Sequence, residues 1–250
     1  MEPPQPESQP YPTMPAPIAP PVTAGWPGIP PNPIDIFEFE YRRRHESDYI
    51  FEFWTQLGWT ILSCGYYGIY VIYQQVRRSR DHIRRRAQLL RAAAEVCWAR
   101  AERDGRAVEL RPHFDRISTE LHALHTLDAQ FRDPGLWALL GFLASGIAQI
   151  VAYVLLDKDL ISHDRAEGAI EHELAVILGA LGIDAPVPDP ARVKGPHNVG
   201  GRVAATIGTC GLYALWWQHD SMTQFNDHLR TNWVHEDALR VSVHAAAAVS

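Results

Sequence analysis

The chain has 250 residues, a net charge of −6 and a pI near 6.0, so it carries no overall basic field for nucleic acid. A mean hydropathy of −0.18 is ordinary for a globular protein, but the average hides segregation: uncharged residues gather in three windows and the charges lie between them. The three cysteines, Cys64, Cys97 and Cys210, match no metal-ligand spacing and predict no disulfide framework.

Residues 1–33 hold 13 of the 19 prolines. Such a segment lacks the backbone donors and the apolar surface to fold, which predicts a disordered tail. It has neither the basic start nor the apolar core of a signal peptide. Its Pro-x-x-Pro spacings have no basic anchor beside them and read as a solvated tether. Residues 34–52 alternate aromatic and acidic side chains, which predicts an interfacial segment with rings at headgroup depth.

Phe53 to Val76 is 24 residues without a charge. About 20 apolar residues span a bilayer core as a helix, so residues 53–76 are expected to form a first transmembrane helix. Arg77, Arg78, Arg80, Arg84, Arg85 and Arg86 follow at once, and predict a cytoplasmic, membrane-surface cluster. Ile83, Ala87, Leu90, Ala94, Cys97 and Ala101 then make one seam. Phe114, Ile117, Leu121 and Leu124 make another, with Asp104-Gly105 as the break and Pro112 as an early residue of the second helix. The expectation for 77–133 is a basic cytoplasmic helical hairpin, thinly packed through its alanines and in need of a partner.

Residues 134–156 are a second uncharged window, expected as a second span. Gly141 and Ser145, and beside them Ala144, Ala148 and Ala152, form rows of small residues suited to close helix packing in lipid. One row is expected to serve a neighbouring span and the other a second chain. Residues 157–202 predict an amphipathic helix, with Ala166, Ile170, Leu174, Ile177 and Leu181 on its apolar face, then a Pro-rich loop. A short third span is expected over 203–219, and a C-terminal helix and tail over 220–250. Arginine counts put 77–133 and the C-terminus in the cytoplasm, and the N-terminal region with 157–202 outside.

An internal repeat is visible in the windows. Gly65, Gly68, Tyr70 and Gln75 lie over Gly208, Gly211, Tyr213 and Gln218, and the four glycines are expected to pack helices. The second window shares a small-small-Gly step, Ala144-Ser145-Gly146 against Ser63-Cys64-Gly65. This Gly-x-x-Gly-[Ile/Leu]-Tyr unit resembles a family of small bacterial membrane proteins of unknown function, in which the unit recurs in two or more spans. The resemblance covers roughly residues 50–230 apart from much of the 77–133 hairpin, and implies an inner-membrane location, without an activity.

His163, Glu167, Glu171 and His172 are the best candidates for metal ligands, since imidazole with carboxylate suits divalent cations. The competing reading is the solvated face of the helix. His122 and His125 are a weaker pair. No nucleophile elbow, zinc-protease motif or phosphate loop is present, and no Asp, Glu, Lys or Arg lies inside a window. The sequence therefore reads as an all-α polytopic protein with three transmembrane helices. Its expected role is a non-enzymatic structural or accessory subunit in a lipid bilayer, alone as a homo-oligomer or with other membrane subunits, with no cofactor and no nucleic acid. The alternatives are a metal-dependent membrane enzyme using the His163 cluster, and a lipid-binding or channel-like homo-oligomer.

Overall fold

The computed structural model describes residues 32–129, 133–143, 145–186 and 197–248. Among them all regular structure is helical: α1 (Pro33–Arg42), α2 (Arg44–Ser47), α3 (Phe53–Leu62), α4 (Tyr66–Arg103), α5 (Ala107–Ala129), α6 (Pro134–Leu143), α7 (Ser145–Ala180), α8 (Val199–Gly208) and α9 (Leu212–Ala247). Residues 1–31 of the Pro-rich tail lie outside the described residues, as do residues 187–196 of the second Pro-rich stretch.

Helices α4, α7 and α9 run parallel and in register. Gln75, Leu156 and Ser221 line one small cavity with Arg78, Leu160 and Phe225. Further along, the rings of His82, His163 and His228 meet at 5.1–5.4 Å between centroids. Each long helix is preceded by a short one that runs back along it. Thr60 Cγ2 is 3.4 Å from the position a Cβ would take on Gly68, and Gly141 abuts Ile72 at the same distance. Trp137 and Leu156 join one cluster with Ile72 and Val76, which requires the chain to reverse between them. Arg202 at the foot of α8 meets Asp157 and Asp220.

The three uncharged windows are therefore helical hairpins, and no helix of the described residues is long and apolar enough to cross a membrane. The break in the first window has a local cause. Cys64 and Gly65 have φ of 51° and 94°, and the Gly65 N–H bonds the Thr60 carbonyl at 2.8 Å, which closes a Schellman turn. The third window repeats the turn: Cys210 and Gly211 have the same φ values, and Gly211 N–H bonds Thr206 at 2.8 Å. The hydroxyls of Ser63 and Thr209 cap the following helices through the N–H groups of Tyr67 and Tyr213. The two turns thus match with Gly65 on Gly211, three residues from the expected match of Gly65 on Gly208.

The expected packing role of the glycines is corrected accordingly. Gly65 and Gly211 supply left-handed backbone, which costs glycine little, and Gly65, Gly208 and Gly211 face open space. Gly68 and Gly141 do sit in helix contacts. Ala148 and Ala152 are buried within the chain, Ala152 against Ile72 and Val76. Ala144 and the Ser145 side chain lie outside the described residues.

Below the histidines the bundle has an apolar core. The expected seams are there: Leu90, Cys97, Ala101, Ile117 and Leu124 are fully or almost fully buried. They are not a two-helix hairpin in want of a partner, because Ile170, Leu174 and Ile177 of α7 and Leu239 and Val243 of α9 complete the same cluster. Pro112 falls inside α5, which begins five residues earlier at Ala107. Residues 33–42 and 44–47 are helical, with Asn32 capping α1 and Phe37 fully buried in that core, so the expected interfacial segment is corrected. The opposite-sided topology fails for the same reason: parts of 34–52, 77–133, 157–202 and 219–250 share one core, and a bilayer cannot separate them.

Burial pushes the Cys97 thiol up to about 12, and the thiolate is the reactive form. Cys97 is therefore expected to resist iodoacetamide at pH 8 in the folded protein and to react fully in denaturant, read by peptide mass. Comparable native and denatured labelling would place it outside the core.

Candidate functional site

Between the hairpins and the apolar core the bundle is polar. His82, His163 and His228 each stand 17 residues beyond Gly65, Gly146 and Gly211. Gly65 and Gly211 close turns, whereas Gly146 is the second residue of α7; three parallel helices bring their histidines to one level, about 25 Å along the axis from these glycines at 1.5 Å per residue. All three rings are buried.

Glu167 lies at the centre. His163 Nε2 is 3.2 Å from its Oε1, His82 Nε2 is 3.9 Å from the same oxygen, and His228 Nε2 is 3.4 Å from Oε2. The outer ring nitrogens of two histidines meet carboxylates: His82 Nδ1 with Asp48 at 2.9 Å, and His228 Nδ1 with Asp164 at 3.1 Å. Neither nitrogen of His163 makes a hydrogen bond. The Asn232 amide donates to Glu167 Oε2 at 3.0 Å and to His228 Nε2 at 3.1 Å.

One turn further down sit two buried arginines. Arg86 donates from Nε to Glu167 at 2.7 Å, from Nη2 to Glu171 at 2.5 Å and from Nη1 to Glu236 at 3.0 Å. Arg85 bonds Asp48 at 2.6 Å and Glu236 at 2.7 Å. His235 Nδ1 lies 3.3 Å from Glu171. Above the histidines, Arg78 is held between the Phe51 and Phe225 rings and bonds Asn226 at 2.7 Å. Burial pulls its guanidinium down to about 9.

The protonation states follow from these contacts. Burial works to raise Glu167, but the Arg86 guanidinium together with His163 and His228 outweighs it and holds the carboxyl well below its usual range. Asp48 is likewise held low, because His82 and Arg85 outweigh the cost of burial. Burial pushes His82 down to about 3 against the pull of Asp48. For His228 burial also works downward, yet its bonds to Asp164 and Glu167 win and raise it.

Sequence reading found His163, Glu167 and Glu171 here but took their helix face for a solvated one. It missed His82 and His228, and it included His172, which is exposed. His122 and His125 are also exposed, on α5. The signal that finds the missing pair is the common offset from the glycines, with Asp81-His82-Ile83-Arg84 recurring as Asp227-His228-Leu229-Arg230. The membrane-surface cluster is corrected in part. Arg78, Arg85 and Arg86 are buried. Arg77, Arg80 and Arg84 remain partly exposed and pair with Asp81 and Asp128. No family model, no curated protein and no solved structure matches this chain.

Proposed function

We propose that this chain is a non-enzymatic accessory protein held on a bilayer by its three helical hairpins, which enter one leaflet together. The reading rests on where charge stops. Between Glu52 and Arg77, Asp133 and Asp157, and Arg202 and Asp220 there is no Asp, Glu, Lys or Arg. From the turns down to Arg77, Asp157 and Asp220 the depth is roughly 14–18 Å at 1.5 Å per residue. Half of a hydrocarbon core is about 15 Å.

The exposed side chains of this end support the same reading. Trp59, Leu62, Phe142, Leu143, Ile207 and Leu212 are each more than half exposed and crown the hairpins. Soluble monomers rarely leave so contiguous an apolar surface in water. Tyr70 and Trp216, also exposed, lie nearer the charged rim, where amphipathic rings favour the interface. The recurring turn reads as an internal repeat of the hairpin, in keeping with the bacterial membrane family that the unit resembles. The bundle below, with its N-terminal helix and C-terminus, stands on one side of the lipid as a docking platform for other subunits.

Flotation with liposomes tests this. The wild-type chain is expected to float. A Leu62→Asp, Leu143→Asp, Ile207→Asp variant is expected to stay at the bottom with an unchanged helical spectrum, since a charge at membrane depth costs roughly 2.5–3.5 kcal/mol on insertion scales. A wild-type chain that stays at the bottom as a monodisperse oligomer would replace the lipid by a second copy.

A further inference from the structure

We propose that His82, His163, Glu167 and His228 form a binding site for a divalent transition-metal ion of the zinc class. The four residues come from three helices, all are buried, and one donor atom from each lies within 4.8 Å of the others. Three imidazoles with one carboxylate are a ligand set that zinc accepts with tetrahedral geometry. Metal–nitrogen bonds of about 2.0–2.1 Å need the donors closer than they stand, and side-chain rotation about χ1 and χ2 supplies that movement.

Three observations beyond the cluster itself point to a cation. The first is the outer contacts. Asp48 and Asp164 sit on the Nδ1 atoms of His82 and His228, and in the neutral tautomer that keeps the proton on Nδ1 both Nε2 lone pairs lie on the Glu167 side, where a metal ion would take the place of any second ring proton. That carboxylate–histidine pairing is the usual support of a metal-binding imidazole. The second is His163, almost wholly buried, whose Nε2 is aimed at Glu167 Oε1 at 3.2 Å without hydrogen-bond geometry and whose Nδ1 has no hydrogen bond. A buried imidazole with its polar atoms so poorly satisfied is costly unless something else takes its lone pair. The third is charge. Four buried carboxylates, Asp48, Glu167, Glu171 and Glu236, share two guanidinium groups, Arg85 and Arg86. His228 and His235 also stand beside Glu167 and Glu171, and a dication offsets the excess with both rings neutral.

Arg86 holds Glu167 Oε1 and leaves Oε2 for the ion. The competitor at Oε2 is the Asn232 amide, which also donates to His228, and it must swing aside for the ion to bind. The site is independent of the membrane reading, which flotation tests on its own.

The experiment uses the full chain, purified in detergent, stripped with EDTA and equilibrated with Zn2+ or Co2+. Stoichiometric zinc by elemental analysis is expected, and intense visible absorption from tetrahedral Co2+. His163→Gln should abolish both while the circular dichroism melt shows a folded protein. Asp164→Asn, which touches no metal, should weaken affinity about 10–100-fold, and it carries the test should His163→Gln fail to fold. Zinc at buffer level in the wild type overturns the proposal and leaves the Asn232 amide as the centre of the cluster. Full zinc occupancy in His163→Gln, or unchanged affinity in Asp164→Asn, overturns it as well.

Discussion

Replacing Arg86 by Leu is expected to cost about 3–5 kcal/mol of folding stability, the range for breaking a buried ion pair from one side. Its guanidinium is fully buried and bridges Glu167, Glu171 and Glu236. Without it three buried carboxylates lose a shared cation, and only Glu236 keeps a second arginine, Arg85. Domains of this size have roughly 5–15 kcal/mol in total, so the urea midpoint should fall by a large fraction. Arg84→Leu, two residues away, is the control. Its side chain is half exposed and pairs with Asp128 at the surface, which is worth about 0–1 kcal/mol. Urea denaturation followed by far-ultraviolet circular dichroism compares the two. Equal midpoints would mean that Arg86 does not hold the helices together.

Trp217→Ala is expected to cost a further large amount, about 3–5 kcal/mol for a buried aromatic cut to a methyl. The indole is fully buried, packs beside Tyr153 and donates to Asp157 at 3.0 Å. Its neighbour Trp216 is half exposed on the apolar end. Trp216→Ala should leave the melt unchanged and reduce the fraction that floats with liposomes. If the two exchange effects, α9 is rotated relative to the arrangement described above.

The helical class, the seams of α4 and α5 and the apolar face of α7 were legible because each follows a heptad-like spacing of Leu, Ile and Ala. Two features were not. A run such as Phe53 to Val76 has no charge to mark a break, and hydropathy is blind to a left-handed cysteine–glycine pair. A 24-residue hairpin and a 24-residue span then look alike, although one is half as long in space. The second feature is the polar layer. Arg85, Arg86, Glu167 and Glu171 read as surface residues on any single helix, because burying a charge is costly in isolation. Only when α4, α7 and α9 are set side by side do the charges cancel. The identity of Asp81-His82 and Asp227-His228 held that information, at a separation where no helical periodicity looks for it.

The common offset from glycine to histidine gives the three long helices a property that composition alone does not have. Each acts as a gauge of fixed length. One residue added to α7 between Gly146 and His163 would rotate that imidazole by about 100° and lower it by 1.5 Å, while its two counterparts stayed in place. Over these stretches the level of each histidine is set by the number of residues, whichever side chains they carry. Any change in length would have to occur in all three at once, which single insertions cannot do.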